Sequence, residues 1–384
     1  MSALPAPPAP ARPLLSEILD AADLAAEIAA GRVRRTQHPS LPLSVYSYGP
    51  QCVFDNHWTD VTRRCRGLVA DDRTGELVAT AFPKFFNYEQ HQADSPYAPE
   101  LPDGEAFEVY DKVDGSLGIV FHYAGGWHVA TKAAFRSEQA RWAQDWLDAR
   151  DTSALVPGVT YLAEIVYPGN RIVVDNGSTE SLVLIAVFAA DGTELPLPYG
   201  VAAWRQLGGR VVRVHQVASL AELARLAKAD RGIDGAPVAG TSAEGWVVRF
   251  ASGVRVKVKL ADYVRLHAAV SRTTERSIWE VLAAGGDVAE LFERMPDEFR
   301  TWILGVAGRL RAAHDAWTDA AQAAYAEIGP QPDRRSFAAA AAAPRYKEYK
   351  SALFLLFDGR PVDVLAWRAV KPPVGPPFRP VEPG

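Results

Sequence analysis

Three lysines and two glutamates in this chain stand where solvated surface charge does not readily account for them. In Tyr110–Tyr123, YDKVDGSLGIVFHY, Lys112 precedes an Asp-Gly-Ser turn that leads straight into an apolar run. A lysine at the lip of buried sheet is either a snorkelling surface residue or a nucleophile. To attack an electrophile it must shed its proton, and at an ordinary pKa of about 10.4 it is neutral less than about one time in a thousand at pH 7. Nearby cations and partial desolvation favour the neutral form. In AEGWVVRFASGVRVKVK, Arg255, Lys257 and Lys259 alternate with Val254, Val256 and Val258. Three cations therefore line one face over about 14 Å. In VTYLAEIVYPG, Glu164 is the only charge. A buried lone carboxylate is costly unless it is paired or bound to a metal. A salt bridge to Arg171 and a hard cation such as magnesium, held through oxygen ligands and waters, both satisfy that requirement.

The elements that position these groups follow from local pattern. Phe107 and Val109 alternate with Glu108 and Tyr110, so a strand leads into Lys112, and Gly118–Tyr123 is a second strand. Ala124-Gly125-Gly126-Trp127 reads as a tight turn. Pairing Ala124 with Trp127 places Lys132 opposite Ile119 and brings it back toward Lys112. Two converging lysines repel, and a neutral amine or a bound anion relieves them; decoration of a sheet edge is the bland reading. A second hairpin joins Gly245–Phe250 to Val254–Lys259 through Ala251-Ser252-Gly253 and returns Lys259 to Glu244. A two-faced surface ribbon shows the same alternation.

From about Leu41 to His267 the pattern is short strands with helical interruptions at Ser137–Ala149 and Ala218–Lys228. From about Thr273 it is helical: Ser277 and Glu280 have capping-box spacing, and Gly285-Gly286 closes that helix. Pro296 opens a longer helix with Phe299, Trp302, Ile303, Val306 and Leu310 on one face. The fold class expected is α+β, with an antiparallel-sheet domain followed by a mostly α-helical one. The expected boundaries are a Pro/Ala-rich disordered start plus an N-terminal helix over 1–40, then domains over 41–268 and 269–370, then a Pro-rich disordered tail over 371–384.

Composition narrows the function classes. A chain of 384 residues with 48% hydrophobic and 23% charged residues is an ordinary globular protein of about two domains. Its net charge of -5 does not describe a chain coated for nucleic acid, although a local basic patch is compatible with it. Such a patch runs from Arg249 to Arg276, with Arg249, Arg255, Lys257, Lys259, Arg265, Arg272 and Arg276 against Asp262 and Glu275. Two cysteines form neither a disulfide framework nor a four-ligand zinc site, and a reducing compartment fits. No GxxxxGK[ST] loop occurs. The start MSALPAPPAPARP lacks signal-peptide features and no apolar stretch is long enough to span a bilayer, so a cytoplasmic protein is expected.

Taken in order, these stretches resemble the covalent nucleotidyltransferase superfamily of polynucleotide ligases and capping enzymes. Within it the likeness is to the RNA ligase family typified by RNA ligase 1 of bacteriophage T4, over about Tyr46 to His267. Lys112-Val113-Asp114-Gly115-Ser116 matches the KxDGS motif, Glu164 the third motif with Tyr167-Pro168 and Asn170-Arg171-Ile172 as its continuation, Glu244-Gly245 the EG motif, and Lys257-Val258-Lys259 the KxK motif. Cys65-Arg66-Gly67 and Pro83-Lys84-Phe85-Phe86-Asn87 look like elements of the RNA ligase 1 branch.

The resemblance implies an ATP-grasp-like ligase domain and a roster of roles. Lys112 would be the nucleophile that carries AMP, and Lys257 and Lys259 would contact the α-phosphate. Glu164 and Glu244 would hold Mg2+ or Mn2+. Arg66, Lys84 and Lys132 would contact phosphate and nucleotide, with Gly115 and Gly245 allowing close approach to the ligand. Phe86 is placed against the nucleoside, with core packing as its other use; Phe188 and Trp246 read as buried strand aromatics. The implied substrates are ATP and broken, nicked or single-stranded RNA with 5′-phosphate and 3′-hydroxyl ends, in RNA repair beside an end-healing kinase-phosphatase, without a membrane. GMP capping, DNA sealing and a non-catalytic RNA- or nucleotide-binding module are the rival readings.

Overall fold

The computed structural model describes residues 12–92, 95, 97–288 and 297–375. It falls into two compact units that meet in sequence after Val264. The first is built on three sheets. Its strands are β1 (Val33–Gln37), β2 (Leu43–Tyr48), β3 (Arg66–Asp71), β4 (Leu77–Ala79), β5 (Phe86–Asn87), β6 (Phe107–Asp111), β7 (Ser116–Tyr123) and β8 (Gly126–Thr131). They continue as β9 (Thr160–Val166), β10 (Ser181–Phe188), β11 (Glu194–Leu195), β12 (Arg210–Val211), β13 (Val214–His215), β14 (Gly245–Phe250) and β15 (Arg255–Lys259). The sheet orders are β1-β2-β3-β4, β11-β10-β9-β7-β8 with β12 beside β10, and β13-β6-β14-β15-β5. Pairing is antiparallel except at β10–β12 and β15–β5.

Burial on both faces explains the unbroken apolar runs. Val120 of β7 packs with Tyr161, Ala163 and Ile165 of β9, while Leu117, Ile119 and Phe121 pack into a second cluster with Val45, Val69 and Leu162. Strands buried on both sides read as continuous hydrophobic stretches rather than alternating ones.

The first hairpin departs from the expected register. Tyr123 pairs with Gly126 and Ile119 with Ala130, and the ladder ends at Gly118–Thr131. The loop is only Ala124-Gly125, with φ of +49° and +84°, so a two-residue turn with both central residues left-handed replaces the wider one. Lys132 consequently sits one step beyond the ladder, facing Leu117 rather than Ile119 and closer to the Asp-Gly-Ser turn. The second hairpin keeps its expected register, Gly245 opposite Lys259 and Arg249 opposite Arg255.

The helix Glu138–Asp148 starts at Ser137, whose side chain accepts from Ala140 N, and Leu220–Lys228 is capped in the same way by Ser219. Further helices interrupt the strand-rich region at Pro50–Phe54, Asp60–Arg64, Tyr88–Gln92 and Pro198–Gln206, where the sequence reading had none. Ahead of β1, Asp20 caps the helix Ala21–Ala29. Residues 1–11 and 376–384, expected as disordered, lie outside the described residues, as does Pro296.

The second unit is helical. Glu275–Ala283 is capped by Thr274 in a box with Ser277, not by Ser277 with Glu280. Gly285, at φ +75°, ends it as expected. In Asp297–Ile328, Ile303, Val306 and Leu310 are buried, packing with Ile278 and Leu282.

Candidate active site

Strand β6 delivers Lys112 to the edge of β14. Asp111 pairs with Trp246, and one residue on, Lys112 N donates to Gly245 O at 2.8 Å. Gly245 is left-handed at φ +132°, and a Cβ there would lie 2.3 Å from Val258 O, so only glycine permits this approach of β14 to β15. Glu244, 2% exposed, then reaches two cations at once. Its Oε2 accepts from Lys112 Nζ at 2.7 Å, and its Oε1 lies 2.8 Å from Lys259 Nζ.

The turn after Lys112 is tied down from behind. Asp114 accepts from Val173 N at 3.0 Å and Val174 N at 2.9 Å through one oxygen, and from the Tyr263 hydroxyl at 3.0 Å through the other. Ser116 Oγ donates to Asn170 Oδ1, and Asn170 Nδ2 donates to Ile165 O. A Cβ on Gly115 would stand 2.5 Å from Ile165 O, so the turn presses against β9 close to Glu164.

These elements enclose a cavity of about 520 Å³. Lys112 and Glu164 line it together with Arg66, Lys132, Arg255 and Lys257, and Leu117, Ile185, Val212 and Val247 supply an apolar wall. The charges fall into two groups. Lys112 and Lys259 share Glu244, and Arg255 pairs with Glu194. Arg66, Lys84, Lys132 and Lys257 have no ion pair among the described residues and rest on rings instead. Arg66 lies 4.9 Å from the Phe82 centroid, Lys257 4.6 Å from Phe85, Lys84 4.7 Å from Phe86 and Lys132 4.3 Å from Tyr48.

The protonation pattern inverts the expectation that Lys112 is held uncharged by neighbouring cations. Desolvation pulls its pKa down, but Glu244 and then Glu164 outweigh this and raise it above the ordinary lysine value. Glu244 is lowered: burial opposes ionisation, yet Lys112 and Lys259 more than offset it. The amines driven toward neutrality are Lys257, well below its usual value through burial and then Lys84 and Arg66, and Lys84, down to about 8 through burial and then Arg66 and Lys132. The Glu164 carboxyl rises to about 7, chiefly by burial, with Lys112 pulling against it.

Glu164 makes no ion pair among the described residues, and Arg171 lies 3.5 Å from Asp175, so the proposed Glu164–Arg171 bridge is absent. Glu164, which faces the cavity, offers oxygens to a hard divalent cation that keeps part of its water shell and takes phosphate oxygens as further ligands, whereas Glu244 has both oxygens on ammonium groups. Among the described residues no group of three or more His, Cys, Asp or Glu side chains stands together there, so the fit rests on Glu164 with waters and phosphate oxygens as the other ligands.

The structure brings together Lys112, Glu164, Glu244, Lys257, Lys259, Arg66, Lys84, Lys132, Gly115 and Gly245. Phe86, read as either a nucleoside contact or a core residue, is 1% exposed, packs on Trp58 and Tyr97, and is not among the residues lining the cavity. Phe188 and Trp246 are buried. Within the basic run, Arg249 is tied to Glu194 at 3.0 Å and Glu108 at 3.7 Å, so it is not a free RNA contact. Sequence reasoning missed Asp114 and Tyr263 as the lock on the turn, and Tyr48, Trp58, Phe82 and Phe85 as seats for cations. Only Phe82 and Phe85 carried a signal, by flanking Lys84.

Comparison with known proteins bears on the family. The sequence profile of the T4 RNA ligase 1 type, described as RNA ligase, matches residues 64–263. The chain is 32% identical over 82 residues to a baculovirus protein (Autographa californica nuclear polyhedrosis virus) with the provisional name bifunctional polynucleotide kinase/RNA ligase, covering 20% of this chain and 12% of that one. It is 26% identical over 148 residues to a Thermovibrio ammonificans protein provisionally named RNA ligase, covering 37% of each. The match thus spans well under two thirds of both relatives. Among solved structures, an archaeal ATP-dependent RNA ligase superposes with a TM-score of 0.45 at 15% identity, covering 90% of this chain and 98% of that one.

Proposed function

Because this chain belongs to the RNA ligase family of the T4 RNA ligase 1 type, we propose that it is an ATP-dependent RNA ligase that joins ends through an adenylate carried on Lys112. The observation that carries the reading is the shared Glu244. It holds Lys112 Nζ at 2.7 Å, on the wall of a cavity that also presents unpaired cations for a polyphosphate.

In the first step Lys112 Nζ attacks the α-phosphorus of ATP; the N–P bond forms, the bond to the bridging oxygen breaks, and pyrophosphate leaves with the electron pair. Arg66, Lys132 and Lys257 neutralise the phosphate oxygens as charge shifts toward the leaving group. In the second step a 5′-phosphate oxygen of RNA attacks the same phosphorus and Lys112 departs, recovering a proton. In the third a 3′-hydroxyl attacks the activated 5′-phosphate and AMP leaves.

The Lys112–Glu244 pair means that the resting nucleophile is protonated, so before attack Lys112 has to leave Glu244 and lose its proton to solvent. Glu164 and Glu244 would hold a divalent cation, which when bound would supply positive charge that favours a neutral Lys112 amine. Burial and neighbouring cations lower the pKa of Lys257 and of Lys84, and an entering phosphate would raise both again, which matches the site's charge to its ligand. Repair of broken RNA, with ends prepared by a kinase-phosphatase, is the setting we propose.

Incubation with radiolabelled ATP and GTP in parallel, followed by denaturing gels, tests the nucleotide. A 5′-phosphorylated single-stranded RNA beside its DNA counterpart tests the substrate. The expected result is label from ATP alone and circular RNA; label from GTP alone or circular DNA alone would replace this reading with a capping enzyme or a DNA ligase.

A further inference from the structure

The segment between β8 and the helix Glu138–Asp148 borders two cavities. Lys132, Ala133 and Ala134 line the cavity of Lys112, while Phe135 and Arg136 line a separate one of about 410 Å³. His38, Trp127, His128 and Arg141 add to the basic and aromatic wall of that second cavity. Thr131 N and Oγ1 both donate to Ala134 O, at 2.8 and 3.1 Å, which ties the segment back on itself. Phe135 is buried against His38, with ring centroids 4.9 Å apart. His38 Nδ1 accepts from Leu41 N at 2.9 Å, which leaves Nε2 as its donor, and the His128 ring stands 6.4 Å away. Arg136 and Arg141 are exposed and have no ion pair among the described residues. The acids on this wall are Asp145 and Asp148, and Asp148 accepts from Gln144 Nε2 at 2.8 Å. Burial lowers the His38 pKa, and neighbouring His128 and Arg136 lower it further. Basic groups crowd one another here, and an anion between them relieves the repulsion.

In-line transfer decides which anion arrives. Pyrophosphate leaves the α-phosphorus on the face opposite Lys112 Nζ, and in the second step the RNA 5′-phosphate oxygen attacks from that same face as Lys112 departs. The strand therefore enters where pyrophosphate was, beside Arg66, Lys132 and Lys257 in the proposed mechanism, and its following nucleotides continue outward from there. Lys132 and Arg136 are four residues apart, so at most about 14 Å separates their Cα atoms.

Resting on the proposed ligase reading, we infer that this second cavity holds the RNA strand that brings the 5′-phosphate, with its next backbone phosphate on Arg136 and Arg141 and a base against His38, His128 and Trp127. Cations along the backbone and ring faces for the bases are what a single strand binds without regard to sequence. The planar arginine fork suits a phosphate. ATP fills the first cavity alone, so adenylation and RNA binding draw on different residues.

The test uses the full chain, adenylated with ATP and freed of unbound nucleotide, then mixed with a 5′-phosphorylated single-stranded RNA oligonucleotide. Transfer of AMP from protein to RNA is followed in single turnover against RNA concentration and against salt. Arg136→Gln combined with Arg141→Gln is expected to raise the half-saturating RNA concentration at least tenfold. The log–log salt dependence is expected to become shallower by about 1.4, from about 0.7 for each cation lost. Self-adenylation by ATP, which precedes RNA binding, is expected to stay within about twofold of the parent. Arg136→Lys combined with Arg141→Lys, which keeps both charges, is expected to restore the salt dependence and most of the binding. Parent-like half-saturation in the glutamine variant, a loss of self-adenylation as large as the loss of transfer, or a lysine variant as impaired as glutamine would each overturn the inference. A parent that forms the adenylate and passes it to RNA keeps the ligase reading even then; a parent that never forms the adenylate removes that reading, and this inference with it.

Discussion

Glu164 shows the cost of burying a carboxylate beside the proposed nucleophile. Its pKa of about 7 against 4.5 for a free glutamate means that between those values the folded chain keeps a proton the unfolded chain has lost. Stability from that proton is complete below about pH 4.5 and is lost as pH rises through 7. Glu164→Gln cannot ionise and escapes this loss. In metal-free buffer the melting temperature of the variant minus that of the parent is therefore expected to grow by a few degrees between roughly pH 5 and pH 8. A difference independent of pH would count against a desolvated, unpaired carboxylate. The same variant is expected to lose most divalent-metal-dependent labelling with ATP. Lys112 carries a second lesson at this scale. Its motif was legible in one short stretch, but its charge state was not, because the carboxylate that sets it lies 132 residues later.

At the scale of elements, the Asp-Gly-Ser turn is held by tertiary hydrogen bonds rather than by turn chemistry alone. Asp114, 5% exposed, satisfies two backbone N–H groups and the Tyr263 hydroxyl. Asp114→Ala strips all three of this acceptor, and a loss of about 3–5 kcal/mol in urea unfolding is expected. A variant within about 1 kcal/mol of the parent would mean that this lock contributes little. The strands themselves were readable, because β7 and β9 are buried on both faces and the chain writes them as apolar runs. The register of the first hairpin was not. Ala124 adopts a left-handed conformation that its residue type does not advertise, and that shortens the turn. The helix Pro198–Gln206 begins with proline and carries a glycine, residue types that weaken a helical pattern, yet Trp204 and Gly200 are buried in it.

For the whole molecule, the site is an assembly of all three sheets of the first unit. The β6–β14–β15 sheet supplies Lys112, Lys257 and Lys259, β9 supplies Glu164, and the end of β2 with its neighbouring loop supplies the rings beneath Lys84 and Lys132. The residues proposed to contact a reacting phosphate stand mostly in short contiguous motifs. The seats beneath them come from distant stretches, where any packing-competent aromatic serves, so the sequence marks them weakly. Among the described residues no helix is long and apolar enough to cross a membrane. The central claim is that Lys112 Nζ carries the adenylate. Intact-mass measurement of the full chain after incubation with ATP and magnesium or manganese, followed by peptide mapping under conditions that preserve a phosphoramidate, tests it most directly. The account predicts a single AMP adduct on the Lys112 peptide that is absent from a folded Lys112→Ala variant; an adduct on another residue, or one that persists in that variant, would contradict it.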